Sequence, residues 1–217
     1  MNIPLLIKET LRGKTISRIL FNDMVRIRCT GVRGSVLDLG GTQHASYARY
    51  ISKDIVRTPA DIQSAPPVDF NKPLPYADGQ FDNAFFFNAL YIAEAPVKVL
   101  AELRRVVRSG GHIYISSPYI ANEMPEPHDF YRFTKEGLLR VLREAGLEVV
   151  SIDRMGERFS SAVYLLHPFF LHGVVRLFVH SVALLLDACI PRSVCMSHPT
   201  PLGYFIVART QDDRLAP

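Results

Sequence analysis

The stretch "GSVLDLGGTQHASYARYI", Gly34 to Ile51, decides the fold. It opens as a short apolar run and breaks at Asp38-Leu39-Gly40-Gly41. Continuous apolarity marks a strand covered on both faces, the habit of parallel sheets. Glycine lacks the side chain that blocks a close approach and tolerates positive φ, so two of them after a strand form a corner where a nucleoside ligand can reach the backbone. In parallel, doubly wound sheets ligands gather at such carboxyl ends.

Downstream, strand and helix signals alternate. "RYISKDIV" reads as a second strand with Asp54 near its end, and the Pro-rich "RTPADIQSAPPVDFNKPLPYADGQFD" reads mostly as loop. "NAFFFNAL" is a strand, followed by a helix over "APVKVLAELRRVVRSGG" that closes at Gly110 and Gly111. "HIYISSPY" is the next strand. A helix then runs over "TKEGLLRVLREAGLE", capped by Thr134 and closed by Gly146, and "EVVSIDRM" and "LGYFIVART" supply the last strands. Upstream, "MNIPLLIKETLRGKTISRIL" has apolar positions at helical spacing and reads as an amphipathic cover rather than a secretory signal.

Composition narrows the function classes. With 217 residues, 48% of them hydrophobic and 21% charged, the chain suits one domain with its own core. The formal charge of +4 comes from scattered Arg and Lys without interleaved aromatic runs, which argues against nucleic acid. Cys29, Cys189 and Cys195 have no metal or disulfide spacing, so a reducing cytoplasm fits and no metal site is implied. Between Phe159 and Ile190 lies an apolar region interrupted by Pro168, Gly173, Arg176 and three histidines. A spanning helix needs about 20 apolar residues; these interruptions favour two packed helices inserted before the last strand. That insertion could serve as a lid, a homodimer face or a peripheral membrane contact.

The candidate ligand groups follow from position. Asp38 can organise the glycine corner or accept hydrogen bonds from a cationic ligand, and an acid ending the second strand can accept both hydroxyls of a ribose. Asp54 is assigned that role, with Asp61 as its rival because it lies nearer the roughly twenty-residue offset from the glycine turn seen in dinucleotide folds.

Four segments in order, "VLDLGG", "VDFNKPLPYADGQFD", "AELRRVVRSGG" and "PHDFYRFT", resemble those of the class I S-adenosylmethionine-dependent methyltransferases. The resemblance covers about Gly34 to Met155 and resumes at the final strand. It implies a mostly parallel seven-stranded sheet: residues 1–33 a helical cover, 34–158 the cofactor-binding core, 159–200 the apolar insertion and 201–210 the last strand. By the same resemblance Asp38, Gly40 and Gly41 line the methionine end of S-adenosylmethionine, Asp54 holds the ribose, Asp69 and the backbone of Phe70 contact the adenine, and Asn88 sits beside the sulfonium. His128 becomes the general base with Asp129 orienting it, and Tyr119 and Tyr131 become acceptor-pocket walls. The expected acceptor is a small molecule, glycan or lipid-linked group methylated on oxygen. The chain departs from the family at Thr42, where a second spaced glycine is usual, and at Leu90-Tyr91-Ile92, where many relatives carry Glu-His. Those departures motivate an alternative, a binding or scaffold protein that keeps the fold without catalysis.

Overall fold

The computed structural model describes residues 2–124, 128–169 and 172–210. Its centre is a sheet of six strands: β1 (Gly34–Leu39), β2 (Ile55–Ala60), β3 (Phe81–Phe87), β4 (Val107–Pro118), β5 (Leu147–Met155) and β6 (Gly203–Thr210). They lie in the order β2-β1-β3-β4-β6-β5. The first four run parallel, and β6 runs antiparallel between β4 and β5. The expected seventh strand is absent among the described residues. The chain that would supply it carries Pro66 and Pro67, which have no amide hydrogen for a ladder, and it stays a loop.

The sheet is buried on both faces. Leu37, Leu39, Phe86, Ile113, Ile115 and Ile206 turn toward helices α3 (Pro96–Val106) and α4 (Lys135–Glu144). Their neighbours in sequence, Val36, Phe85, Phe87, Tyr114 and Phe205, turn the other way onto α2 (Ile16–Arg28). This alternation of side chains explains why β3 reads as an unbroken apolar run: both of its faces are core. Phe85, Phe86 and Phe205 are fully buried, each contributing about 1.5–3 kcal/mol of transfer free energy. Thr134 caps α4 as expected, its hydroxyl accepting from the Gly137 amide at 3.1 Å.

The N-terminal cover is two helices rather than one. α1 (Ile3–Leu11) ends at Gly13, and α2 starts from Thr15, whose hydroxyl accepts from the Arg18 amide at 3.2 Å. The apolar insertion forms α5 (Arg158–Leu165), α6 (Gly173–Cys189) and a short α7 (Arg192–Ser197). α6 packs on α5 and on α1, and α5 packs on α2, so the N-terminal helices and the insertion make one layer over the α2 face of the sheet. Among the described residues no helix is long and apolar enough to cross a membrane.

Candidate functional site

The carboxyl ends of β1, β2 and β3 meet at the glycine corner. Gly40 has φ +74°, and its amide donates to the Ala60 carbonyl at 2.7 Å, which ties the corner to the end of β2. A Cβ on Gly40 would stand 3.1 Å from that of Ala89, so the corner also touches the chain just past β3. A Cβ on Gly41 would fall 2.3 Å from the Asp38 carboxyl. Both positions therefore need glycine for steric reasons, and the backbone is left bare at the strand tips.

Asp38 does not line this opening. It is fully buried beneath it, and its two carboxylate oxygens accept from the Tyr47 hydroxyl at 2.8 and 2.9 Å. Arg57, in the middle of β2, donates from Nη1 to the same carboxylate at 2.6 Å and from Nη2 to the Gln43 carbonyl at 2.7 Å. Burial pushes the Asp38 carboxyl up to about 6, while the Tyr47 hydroxyl and the Arg57 guanidinium pull it back. The assignment of Asp38 to the methionine end is thereby corrected. A buried carboxylate must be paired, and pairing here stitches the loop after β1 to β2. Arg57 and Tyr47 escaped the sequence reading because nothing local marks partners so far apart in the chain.

The ribose assignment is corrected as well. Asp54 precedes β2, and its carbonyl accepts from the amide of Gly34, the first residue of β1, at 3.4 Å. It therefore sits at the amino edge of the sheet, on the far side from Gly40. Asp61 follows β2 directly, one Oδ accepting from the Gln63 amide at 2.7 Å. A cleft of about 430 Å³ opens here, with residues 41–44 on one wall and 59 and 63–65 on the other.

Asp69 accepts from the Asn71 amide at 3.0 Å and lies 3.3 Å from Lys72 Nζ, while Phe70 packs edge-on against Phe86 with ring centroids 5.4 Å apart. Asn71 Oδ1 accepts from the Glu94 amide at 3.0 Å, joining this loop to the segment after β3. Asn88 ends β3 in the left-handed region, φ 50°, and its amide donates to the Ser116 carbonyl at 2.9 Å. Positive φ in a residue other than glycine is uncommon and concentrates where the backbone turns sharply at functional positions.

The loop after β4 is pinned to the same end of the sheet. The amides of Phe130 and Tyr131 both donate to the Tyr91 carbonyl, at 3.0 and 3.1 Å. His128 is exposed and stacks on Phe130, centroids 5.2 Å apart. Asp129 does not orient it. One oxygen accepts from Arg132 Nη2 at 2.6 Å and from the Met124 amide at 2.8 Å, and the other accepts from Arg132 Nη1. The Arg132 guanidinium holds the Asp129 carboxyl below the usual carboxylate range, with partial burial opposing and the Met124 amide assisting. The Arg132 guanidinium in turn lies 5.4 Å over the Tyr91 ring. Asp129 is thus a clasp for its own loop, which corrects the pairing with His128.

Tyr119 is half-buried against the α3–α4 core, its amide bound to the Leu202 carbonyl at 2.8 Å and its ring 6.2 Å from Tyr204. Tyr131 stacks on Phe133 at 5.2 Å, its hydroxyl reaching the Glu94 carbonyl at 3.4 Å. Among the described residues no group of His, Cys, Asp and Glu could hold a metal ion.

Residues 43–115 match the model of a methyltransferase domain, a stretch that begins just past Gly40 and Gly41. A search of curated proteins finds no match. Among solved structures, 1,6-didemethyltoxoflavin-N1-methyltransferase of Burkholderia thailandensis, with bound 1,6-didemethyltoxoflavin and S-adenosylhomocysteine, is 17% identical. The match covers 94% of this chain and 79% of that one, with a TM-score of 0.54. Phosphoethanolamine N-methyltransferase 2 of Haemonchus contortus, in complex with S-adenosyl-L-methionine, is 12% identical over 88% of this chain and 52% of its own, TM-score 0.57. The [4+2]-cyclase SpnF shares the architecture too, at 20% identity, TM-score 0.52 and coverage of 90% and 81%. At these identities the likeness to solved structures shows the fold alone, and the matched domain model covers about a third of the chain. Residues 43–115 are therefore similar to a methyltransferase domain, set in a sheet with the Rossmann-like architecture of these methyltransferase structures.

Proposed function

We propose that the chain methylates an oxygen of a small-molecule, glycan or lipid-linked acceptor, with His128 removing the acceptor's proton. The observation that carries this is the double hydrogen bond from Phe130 and Tyr131 to the Tyr91 carbonyl, which holds the His128 loop beside the end of β3 that Asn88 terminates. Histidine exchanges protons nearest neutrality of the common side chains, and an acceptor hydroxyl must lose its proton as the new bond to carbon forms.

The bare corner at Gly40 and Gly41 fits a ligand that presses against backbone, and the acids near it fit a ribose and an adenine. We assign Asp61 to the ribose hydroxyls, Asp69 and the Phe70 backbone to the base, and Asn88 to the neighbourhood of the sulfonium. S-adenosylmethionine, when bound, supplies an electrophilic methyl group for in-line displacement. The remaining work falls to this chain's own residues: holding the acceptor in line, excluding water and taking the proton. His128, through Nε2 or Nδ1, would take the proton that the acceptor hydroxyl releases as its oxygen is methylated. Tyr119 and Tyr131 serve as acceptor walls. Three free cysteines, one of them buried, accord with a reducing cytoplasm.

A panel of hydroxylated and amine acceptors, assayed for radiolabelled methyl transfer, tests the reading. Transfer to hydroxyl acceptors that collapses in His128→Ala supports it; transfer to amines alone overturns the oxygen assignment. Cofactor binding without transfer to any acceptor would favour the scaffold alternative, which the buried, internally paired Asp38 motivates.

A further inference from the structure

α1 and α6 lie against each other on the outside of the molecule, and each leaves an apolar stripe in solvent. On α1 the stripe is Ile3, Ile7 and Leu11, at successive i, i+4 positions. On α6 it is Val174, Phe178, Val182 and Leu185, with Val174 77%, Phe178 68% and Leu185 66% exposed. The Leu11 side chain reaches 3.5 Å from the place a Cβ on Gly173 would take, which brings the end of the first stripe beside the start of the second. Single exposed apolar residues are ordinary, but two adjoining rows of large ones are not.

The charges around the stripes are of one sign. The two acids of these helices point inward. Glu9 is fully buried, taking Asn22 Nδ2 at 3.5 Å and Arg12 Nη1 at 3.4 Å. Asp187 accepts from the amides of Phe159, Ser160 and Glu157 at 2.8, 3.1 and 3.2 Å, closing the start of α5. Lys8 and Arg12 face solvent, Lys14 is partly exposed, and the Arg176 guanidinium lies 3.4 Å from the place of a Cβ on Gly13. An exposed apolar row rimmed by cations, with its carboxylates withdrawn, is complementary to a surface of anionic headgroups over acyl chains. A two-fold dimer through the same face would set this cationic rim near its own copy, with neither helix offering an exposed carboxylate to meet it. Neither helix can span a bilayer.

We propose that the outer face of α1 and α6 is a monotopic docking surface for an anionic lipid bilayer, lying in the headgroup layer. The test floats the full chain on vesicles of phosphatidylglycerol and phosphatidylcholine in equal parts, and on vesicles of phosphatidylcholine alone. The chain is expected to float with the anionic vesicles, to bind the neutral ones about tenfold more weakly, and to lose part of its binding at high salt. Phe178→Glu with Leu185→Glu should abolish flotation. Lys8→Glu with Lys14→Glu leaves the apolar rows intact and should remove the anionic preference, which keeps the test decisive if the first variant misfolds. Failure of the unmodified chain to float on anionic vesicles overturns the proposal. So does binding that is indifferent to both variants. Sedimentation without lipid as a dimer that Phe178→Glu with Leu185→Glu dissociates, together with no flotation, would assign the face to a second copy instead.

Discussion

Arg57 Nη1 lies 2.6 Å from Asp38 Oδ2, a pair that joins adjacent strands beneath the glycine corner. Asp38 is fully buried and the Arg57 side chain 13% exposed, so removing one partner strands a charge in a poorly solvated place. Arg57→Ala is expected to destabilise the chain by about 3–5 kcal/mol, and Tyr47→Phe by about 1.5–3 kcal/mol. Urea unfolding checks both. An effect of Arg57→Ala within error of zero would mean that the pair does not hold the corner.

Gly41→Ala makes a related test from the other side. The added methyl would fall 2.3 Å from a carboxyl held by two other side chains, so neither group can step aside cheaply. Loss of about 1–3 kcal/mol of stability and at least tenfold weaker cofactor binding are expected. Calorimetry and thermal melts measure the two separately.

Asp61 and Asp54 separate cleanly. Losing a carboxylate that accepts ribose hydroxyls should weaken S-adenosylmethionine binding by about 1.5–3 kcal/mol, or roughly 10- to 100-fold. Asp61→Ala should show that loss and Asp54→Ala none, by titration calorimetry. The reverse pattern would restore the ribose role to the acid before β2.

His128→Ala should lower kcat by about 10²–10⁴ while leaving cofactor affinity within about threefold. Asp129→Asn acts differently, because it breaks the clasp to Arg132 and loosens the loop. Partial loss of kcat with an unshifted pH–rate profile is expected there. A shifted profile would return Asp129 to direct partnership with the histidine.

His180, buried beneath α1 with Nδ1 3.3 Å from the Thr10 hydroxyl, has its pKa lowered to about 4 by burial first, then by His167 and Arg176. The unfolded chain protonates this ring near 6.5 and the folded chain near 4, so stability falls as the solution is acidified through that interval. Asp38, with its carboxyl raised to about 6, works oppositely between its unfolded value and 6. His180→Asn should therefore flatten the acid-side decline by a slope approaching about 1.4 kcal/mol per pH unit relative to the unmodified chain. Identical slopes would show that the ring does not titrate on unfolding.

The sequence told most where the determinant was local. Thr134 caps its helix, the apolar runs of β1 and β3 form the buried strands they imply, and β6 closes the sheet after the insertion. β2 begins several residues later than "RYISKDIV" implies, because Arg57 and Pro59 disguise it; a proline is tolerated there since β2 is an edge strand with one side unpaired. The misplacement carried Asp54 to the wrong end of the sheet along with it. The expected seventh strand came from the family pattern and failed on Pro66 and Pro67. The Asp38–Tyr47–Arg57 and Asp129–Arg132 pairings were illegible because a side chain's direction depends on the folded neighbours it meets, not on spacing along the chain.

β4 and β5 never touch as ladder partners; β6 lies between them and bonds to both. During synthesis the ribosome releases that keystone after every other strand, once residues 156–202 have already emerged. Until then the outer edge of β4 stands open and β5 has no ladder partner at all, so the nascent chain is open to mispairing for the time it takes to translate the entire insertion.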